Sequence, residues 1–305
     1  MSGIWDSKNL IKFNDIPEQR FDLGEGNTPL ISIQIDGQRL FVKDENINPT
    51  GSFKDRCLAY QISYYYSLGR RSFVISSSGN AAISAGTLIK TIPLATLDIF
   101  ISNNINPKKL NKLMDLNSKQ IKIHQSQKAK SDAILFAKNN DFVNLRASTD
   151  THALAGYKTI AYELEQEAKT SDGIFIPSSS GTAALGIALG FEDIGIDIPI
   201  YLCQTTKIHS IASEFDMDFT NTKTSLADAI VDRVAVRKNL LIKAINKTHG
   251  DAFIISDELL SIAMSKMELA GKKYSFNSLL SLAGYLKAKA QGKSFKNPII
   301  LASGL

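Results

Sequence analysis

Lys54 has the most chemically suggestive setting in the sequence: it follows the turn Asn48-Pro49-Thr50-Gly51-Ser52 and is expected as the second residue of a helix over 53–68. A lysine in a first helical turn meets the positive end of the helix dipole, which disfavours its ammonium form. A desolvated, less basic amine is what condensation with a carbonyl to a Schiff base requires. The plainer alternative is a solvated helix lysine paired with Asp55 or Asp44. Two further stretches share one grammar, an apolar strand, a Ser/Gly turn and a helix of small residues: FVISSSGNAAISAG at 73–86 and GIFIPSSSGTAALGIALG at 173–190. Small side chains let an anion approach backbone N–H groups, and the helix N-terminus adds roughly half a positive charge. A Ser-rich turn is also an ordinary helix cap; two such turns in one chain point more strongly to a ligand than either does alone.

The elements that must position these turns alternate short β-branched runs with longer helical patterns, which predicts an α/β protein with mainly parallel sheets flanked by helices. Strands are expected at 39–43, 72–76, 95–101, 119–124, 173–177, 199–203 and 298–302. Helices are expected at 53–68, 80–90, 106–116, 128–139, 152–169, 181–192, 225–231, 236–248, 257–270 and 275–291. The 305 residues are enough for two modest domains.

Composition narrows the function classes. Lys and Arg exceed Asp and Glu by five, and the basic residues are scattered, so nucleic acid is not an expected partner. No apolar run approaches the roughly 20 residues of a membrane span, and the start MSGIWDSKNL lacks the order of a secretion signal. Cys57 and Cys203 cannot build a disulfide framework and fit a reducing, cytoplasmic setting; Cys57 reads as a packing residue. His124, His152, His209 and His249 are isolated from one another, and no metal site is expected.

The ordered strings GEGNTPL (24–30), VKDENINPTGSFKDR (42–56), SSSGNAAIS (76–84), AGYKTIAYEL (155–164), PSSSGTAALG (177–186) and LASGL (301–305) run through nearly the whole chain. Together they resemble the threonine synthase branch of the fold-type II pyridoxal-phosphate enzymes, relatives of the tryptophan synthase β chain. The resemblance implies pyridoxal 5'-phosphate as cofactor, an amino-acid substrate, two α/β domains with the cofactor in the cleft between them, and a homodimer. The domains would be 1–52 with 153–305, and a smaller mobile one at 53–152. By position, Lys54 matches the lysine that binds the cofactor covalently, and Asn80 the asparagine bonded to its 3′-oxygen. Ser77, Ser78 and Gly79 match the loop for the substrate carboxylate, and Ser179, Ser180, Gly181, Thr182 and Ala183 the loop for the cofactor phosphate. Ser303 falls where the family sets a hydroxyl against the pyridine nitrogen. A neutral hydroxyl there limits the electron sink and favours elimination or replacement over transamination.

The implied reaction converts O-phospho-L-homoserine and water to L-threonine and phosphate, with Lys54 moving protons at the substrate carbons. Lys158, in Ala-Gly-Tyr-Lys, is the first candidate cation for a phosphorylated substrate, a solvated helix face being the alternative; Arg146 is a weaker candidate, and Lys43 is expected in an ion pair. Three departures keep two other readings open, β-replacement or elimination on an activated serine or threonine, and a non-catalytic cofactor-binding paralogue. The phosphate loop has fewer glycines and no asparagine. Tyr274-Ser275-Phe276-Asn277 replaces a segment that usually carries Glu-Pro. The sequence stops two residues after Ser303, where relatives usually continue, so one wall of the site is expected to be thinner or supplied by a neighbouring subunit.

Overall fold

The computed structural model describes residues 3–105 and 107–304. Two compact units form: one holds the N-terminal segment through Gly26 with Asn48–Gly156, the other Asn27–Ile47 with the chain from Tyr157 onward. In chain order, α1 (Ser7–Leu10) is followed by β1 (Leu30–Ile35), β2 (Gln38–Asp44), α2 (Lys54–Ser67), β3 (Ser72–Ser76) and α3 (Asn80–Ile89). Next come β4 (Thr96–Ser102), α4 (Pro107–Met114), β5 (Ile121–Ser126), α5 (Ala129–Asn140), β6 (Val143–Asn144) and α6 (His152–Glu167). The remainder is β7 (Ile174–Pro177), α7 (Thr182–Asp193), β8 (Ile200–Thr205), α8 (Lys238–Lys247), β9 (Asp251–Ile255), α9 (Asp257–Leu269), α10 (Phe276–Ala290) and β10 (Ile299–Ala302). The expected start of the fourth-strand helix partner, Asn106, lies outside the described residues.

The first unit is built on a four-stranded parallel sheet in the order β5-β4-β3-β6. Its central strands bury Val74, Ile75, Leu97 and Ile99, with Asp98 the one charged residue among them; Ala133 and Ala137 of α5 pack on Val74 and Phe100. Residues before Gly26 are fastened to α2: Trp5 stacks on Tyr60 with ring centroids 5.7 Å apart and donates Nε1–H to the Phe21 carbonyl at 3.0 Å. This packing places the N-terminal segment in the unit that carries Lys54, whereas the sequence reading grouped it with the other. Gly156 lets the start of α6 touch α2, since a Cβ there would fall 2.2 Å from the Arg56 carbonyl oxygen.

The second unit is a six-stranded sheet in the order β1-β2-β10-β7-β8-β9, antiparallel between β1 and β2 and parallel elsewhere. β1 is absent from the sequence expectation, although Leu-Ile-Ser-Ile-Gln-Ile alternates at period two and Asp36-Gly37, both at positive φ, is a hairpin turn. The short β6 and β9 were also not anticipated. Conversely, the helix expected at 225–231 does not form. Its N–H groups find other acceptors: Leu226 donates to Asp257 Oδ1 at 2.9 Å and Ala229 to Asn277 Oδ1 at 2.9 Å. Side chains from distant segments thereby outcompete the i−4 carbonyls. The core of this unit gathers Val42, Phe175, Cys203, Phe253 and Ile300 under α10, which lies so close that a Cβ at Gly284 would be 2.2 Å from Cys203 Sγ.

Candidate active site

Lys54 is the first residue of α2, with Phe53 at the N-cap position, one residue later than the expected helix start. The turn before it is pinned from within the helix. Asp55, 2% exposed, accepts the Thr50 N–H at 2.8 Å on one oxygen and the Thr50 hydroxyl on the other. Gly51 takes a φ of 80° and donates to the Asn48 carbonyl at 2.7 Å. The Lys54 N–H bonds Ser52 Oγ at 3.3 Å, and Nζ lies 4.8 Å from the Phe53 ring centroid. The lysine is thus half-buried on a rigid turn at a helix N-terminus. In the same unit, Glu25 is wholly buried; burial pushes its carboxyl up to about 7, against the lowering effect of the Leu23 N–H it accepts, and Asp22 and Asp55 add to the rise.

In the same unit, Ser77, Ser78, Gly79 and Asn80 join β3 to α3. All four are half-buried; Gly79, at the N-cap position of α3, has no side chain to cap the helix, and its own N–H donates to Ser77 Oγ at 3.3 Å. A Cβ at Gly79 would meet nothing within 4 Å, so this glycine borders open space. Asn80 is the first helical residue.

The second turn joins β7 to α7 and is assembled differently. Gly181 caps α7 at φ 83°, again without a side-chain cap, and a Cβ there would lie 2.6 Å from Leu241 Cδ2 of α8. Ser179 Oγ accepts the N–H groups of Val231 and Asp232, each at 3.0 Å, and donates to Asp232 Oδ2 at 3.1 Å. Ser180 and Thr182 hydroxyls are 3.0 Å apart, and Arg237 Nη1 donates to Thr182 Oγ1 at 3.3 Å. Beneath the loop, the buried Gln204 amide donates to the Ser179 carbonyl at 3.1 Å and accepts the Ile211 and Ala212 N–H groups at 2.8 Å. Ala183 follows in the first turn, buried.

Ser303, buried, follows β10 directly. Its position is fixed by the segment that departs from the family pattern: Ser275 caps α10 and donates to the Gly304 carbonyl at 2.5 Å, while Ser278 donates to the same oxygen at 2.8 Å and accepts the Gly304 N–H at 3.1 Å. Tyr274 donates to Asp44 Oδ2 at 2.9 Å, and burial with that carboxylate raises its pKa. The Ser275 and Ser278 hydroxyls therefore clamp the β10 end to the α10 start.

These turns can be set against known proteins. The family described as pyridoxal-phosphate dependent enzyme matches residues 21–303. The chain belongs to that family. It is 25% identical over 298 residues to a threonine synthase of Bacillus sp. (strain ULM1), covering 92% of this chain and 82% of that protein. A threonine synthase of Halalkalibacterium halodurans is 26% identical over 176 residues, 56% of this chain and half of that one. In fold, maize serine racemase superposes with a TM-score of 0.77 at 20% identity, covering 91% of this chain and 87% of that structure. The architecture is accordingly that of a fold-type II pyridoxal-phosphate enzyme, and pyridoxal phosphate is its cofactor.

Within this pyridoxal-phosphate enzyme, Lys158 is ion-paired. Its Nζ is bonded to Asp193 Oδ2 at 2.8 Å, which also accepts the Tyr162 hydroxyl at 2.6 Å. Asp193 ends α7, about 17 Å along the helix axis from Thr182. The lysine of that motif is thus ion-paired at the far end of α7. Lys43 is ion-paired, as its sequence context implied, though with Glu163 at 2.9 Å and Glu167 at 3.1 Å rather than with its neighbours. Arg146 lies in the turn after β6, its carbonyl accepting the N–H groups of Thr149 and Asp150. Cys57 and Cys203 are buried; burial raises the Cys203 pKa, and the Cys57 thiol donates to the Lys54 carbonyl at 3.3 Å. Among the described residues, no group of three His, Cys, Asp or Glu is arranged to hold a metal, and no helix is long and apolar enough to cross a membrane. Sequence reasoning missed Gln204 and Arg237. A polar residue closing the buried strand Ile-Tyr-Leu-Cys-Gln-Thr was a legible signal for the first. Nothing local distinguishes Arg237 from a surface arginine.

Proposed function

We propose that this chain is a lyase of threonine synthase type, converting O-phospho-L-homoserine and water to L-threonine and phosphate. The observation that carries the reading is the similarity to a threonine synthase across 92% of this chain and 82% of the relative. The residues present suit the cofactor. Two helices, α3 and α7, begin at uncapped glycines, and one of those turns carries Ser180 and Thr182 hydroxyls 3.0 Å apart. Such donors match a phosphate at one turn and a carboxylate at the other.

In this reading Lys54 holds the cofactor, Asn80 bonds its 3′-oxygen, and Ser179, Ser180, Gly181, Thr182 and Ala183 receive its phosphate. Ser303 faces the ring nitrogen. When bound, pyridoxal phosphate supplies an electron sink that acidifies the substrate Cα–H. Lys54 Nζ takes that proton and serves as the proton carrier between substrate carbons. Ser77, Ser78, Gly79 and the α3 N-terminus bind the substrate carboxylate, which fixes the Cα–H toward the lysine. A proton leaves Cβ and the Cγ–O bond to phosphate breaks; Cγ takes up a proton to become the methyl group of threonine, water adds its hydroxyl at Cβ while its other proton leaves with phosphate, and a proton returns to Cα. The Ser303 hydroxyl, a neutral partner for the ring nitrogen, favours this elimination and addition over transamination.

The deciding experiment is phosphate release from purified protein supplied with pyridoxal phosphate. Release from O-phospho-L-homoserine with threonine as co-product supports the reading. Equal or faster release from O-phospho-L-serine supports β-elimination instead. A cofactor absorption band with no turnover of any amino acid supports a cofactor-binding paralogue.

A further inference from the structure

We infer that Arg237 is a ligand of the cofactor phosphate, a cation added to a loop that otherwise offers only neutral donors. The inference rests on the cofactor reading above and concerns a residue outside the β7–α7 turn.

The phosphate of the cofactor carries close to two negative charges near neutral pH. Loops that bind it with backbone N–H groups depend on bare glycines for close approach. Here the turn is Ser179-Ser180-Gly181-Thr182-Ala183, with one glycine and three hydroxyl side chains. The Ser179 hydroxyl is already committed to Val231, Asp232 and the Asp232 carboxylate, so it belongs to the framework of the loop. The hydroxyls left to face a ligand are those of Ser180 and Thr182, 3.0 Å apart.

Arg237 converges on that same pair. Its side chain is buried, 8% exposed, and Nη1 lies 3.3 Å from Thr182 Oγ1. Its backbone is equally fixed, because it is the N-cap of α8. One turn further on, Leu241 of α8 packs where a Gly181 side chain would be. The loop and the arginine are therefore held together by α8 rather than meeting by side-chain flexibility. A guanidinium offers several donors in one plane and matches phosphate oxygens two at a time. A buried arginine beside two hydroxyls at an uncapped helix start makes a charged anion site from a sequence poor in glycine.

The test compares wild type, Arg237→Gln and Arg237→Lys for binding of pyridoxal phosphate and of pyridoxal, which lacks the phosphate, each titrated by the visible absorption band and checked by circular dichroism. The expected result is a loss of pyridoxal-phosphate affinity of about tenfold to a hundredfold in Arg237→Gln and a smaller loss in Arg237→Lys, with pyridoxal affinity unchanged. If Arg237→Gln does not fold, Arg237→Lys carries the test by the same phosphate-selective loss. Equal losses for both ligands would mark a structural arginine and overturn the inference. Unchanged pyridoxal-phosphate affinity in a folded variant would do so too. A wild-type protein that forms no band would instead remove the cofactor reading, and this inference with it.

Discussion

The β3–α3 and β7–α7 turns are written in nearly the same letters, SSSGNAA and SSSGTAA, and the structure treats them oppositely. At the first, Gly79 borders open space and its hydroxyl neighbours stay half-buried. At the second, Leu241 crowds Gly181, the buried Gln204 braces the carbonyls below, and Ser179 is tied to Asp232. One turn is left adaptable and the other is held rigid by its own protein. Under the proposed function that difference suits a transient ligand at one turn and a resident one at the other: a substrate must come and go, whereas preorganised donors make a permanent group cheap to keep. The contrast teaches that a helix-start motif states only that an anion fits, and that the neighbours decide for how long.

The largest effect should come from Lys54→Ala, which is expected to abolish the absorption band of the loaded protein and cut turnover by about a thousandfold or more. Retention of the band would move the covalent site away from α2. The two glycines test the comparison directly. Gly181→Ala, strained at φ 83° and blocked by Leu241, should destabilise the fold by about 1–3 kcal/mol, read by denaturant unfolding. Gly79→Ala should leave unfolding nearly unaltered yet raise the substrate KM about tenfold; equal destabilisation in the two variants would erase the distinction.

Glu25 gives the pH dependence. Its carboxyl is raised by burial to about 7, so the protonated form is the one the fold prefers. Stability from this group is full below about 4.5 and is lost as pH rises through about 7. Glu25→Gln should flatten that decline and gain about 3 kcal/mol relative to wild type at pH 8. Identical pH profiles for the two proteins would show that the carboxyl ionises freely when folded. The smallest effect is expected at Lys158→Ala, less than about 1 kcal/mol and with an unchanged KM, because its partner is Asp193.

Much of this was legible in the letters. The 72–76 strand is realised as β3 with the same bounds, and the start of α3 at Asn80 likewise, because apolar runs and small-residue turns are local signals. The start of α2 at Lys54 was legible from a Pro-Thr-Gly-Ser turn feeding a helix. What was hidden depends on distant partners. The 225–231 segment has helical periodicity, but Asp257 and Asn277 take its N–H groups. Lys158 reads as a family cation until Asp193, 35 residues on, neutralises it. Arg237 meets Thr182 across 55 residues, beyond any spacing rule.

The placement of β10 has a consequence for synthesis. The four-stranded sheet uses strands that are consecutive in the chain, from Ser72 to Asn144, and can close as soon as that stretch is made. The six-stranded sheet cannot, because β10 lies in its middle, between β2 and β7. Until Ile299–Ala302 has left the ribosome, β2 and β7 each expose an apolar edge with unsatisfied backbone groups. Ser303 follows that late strand directly, so one insertion event closes the sheet and completes the ring-nitrogen end of the proposed site.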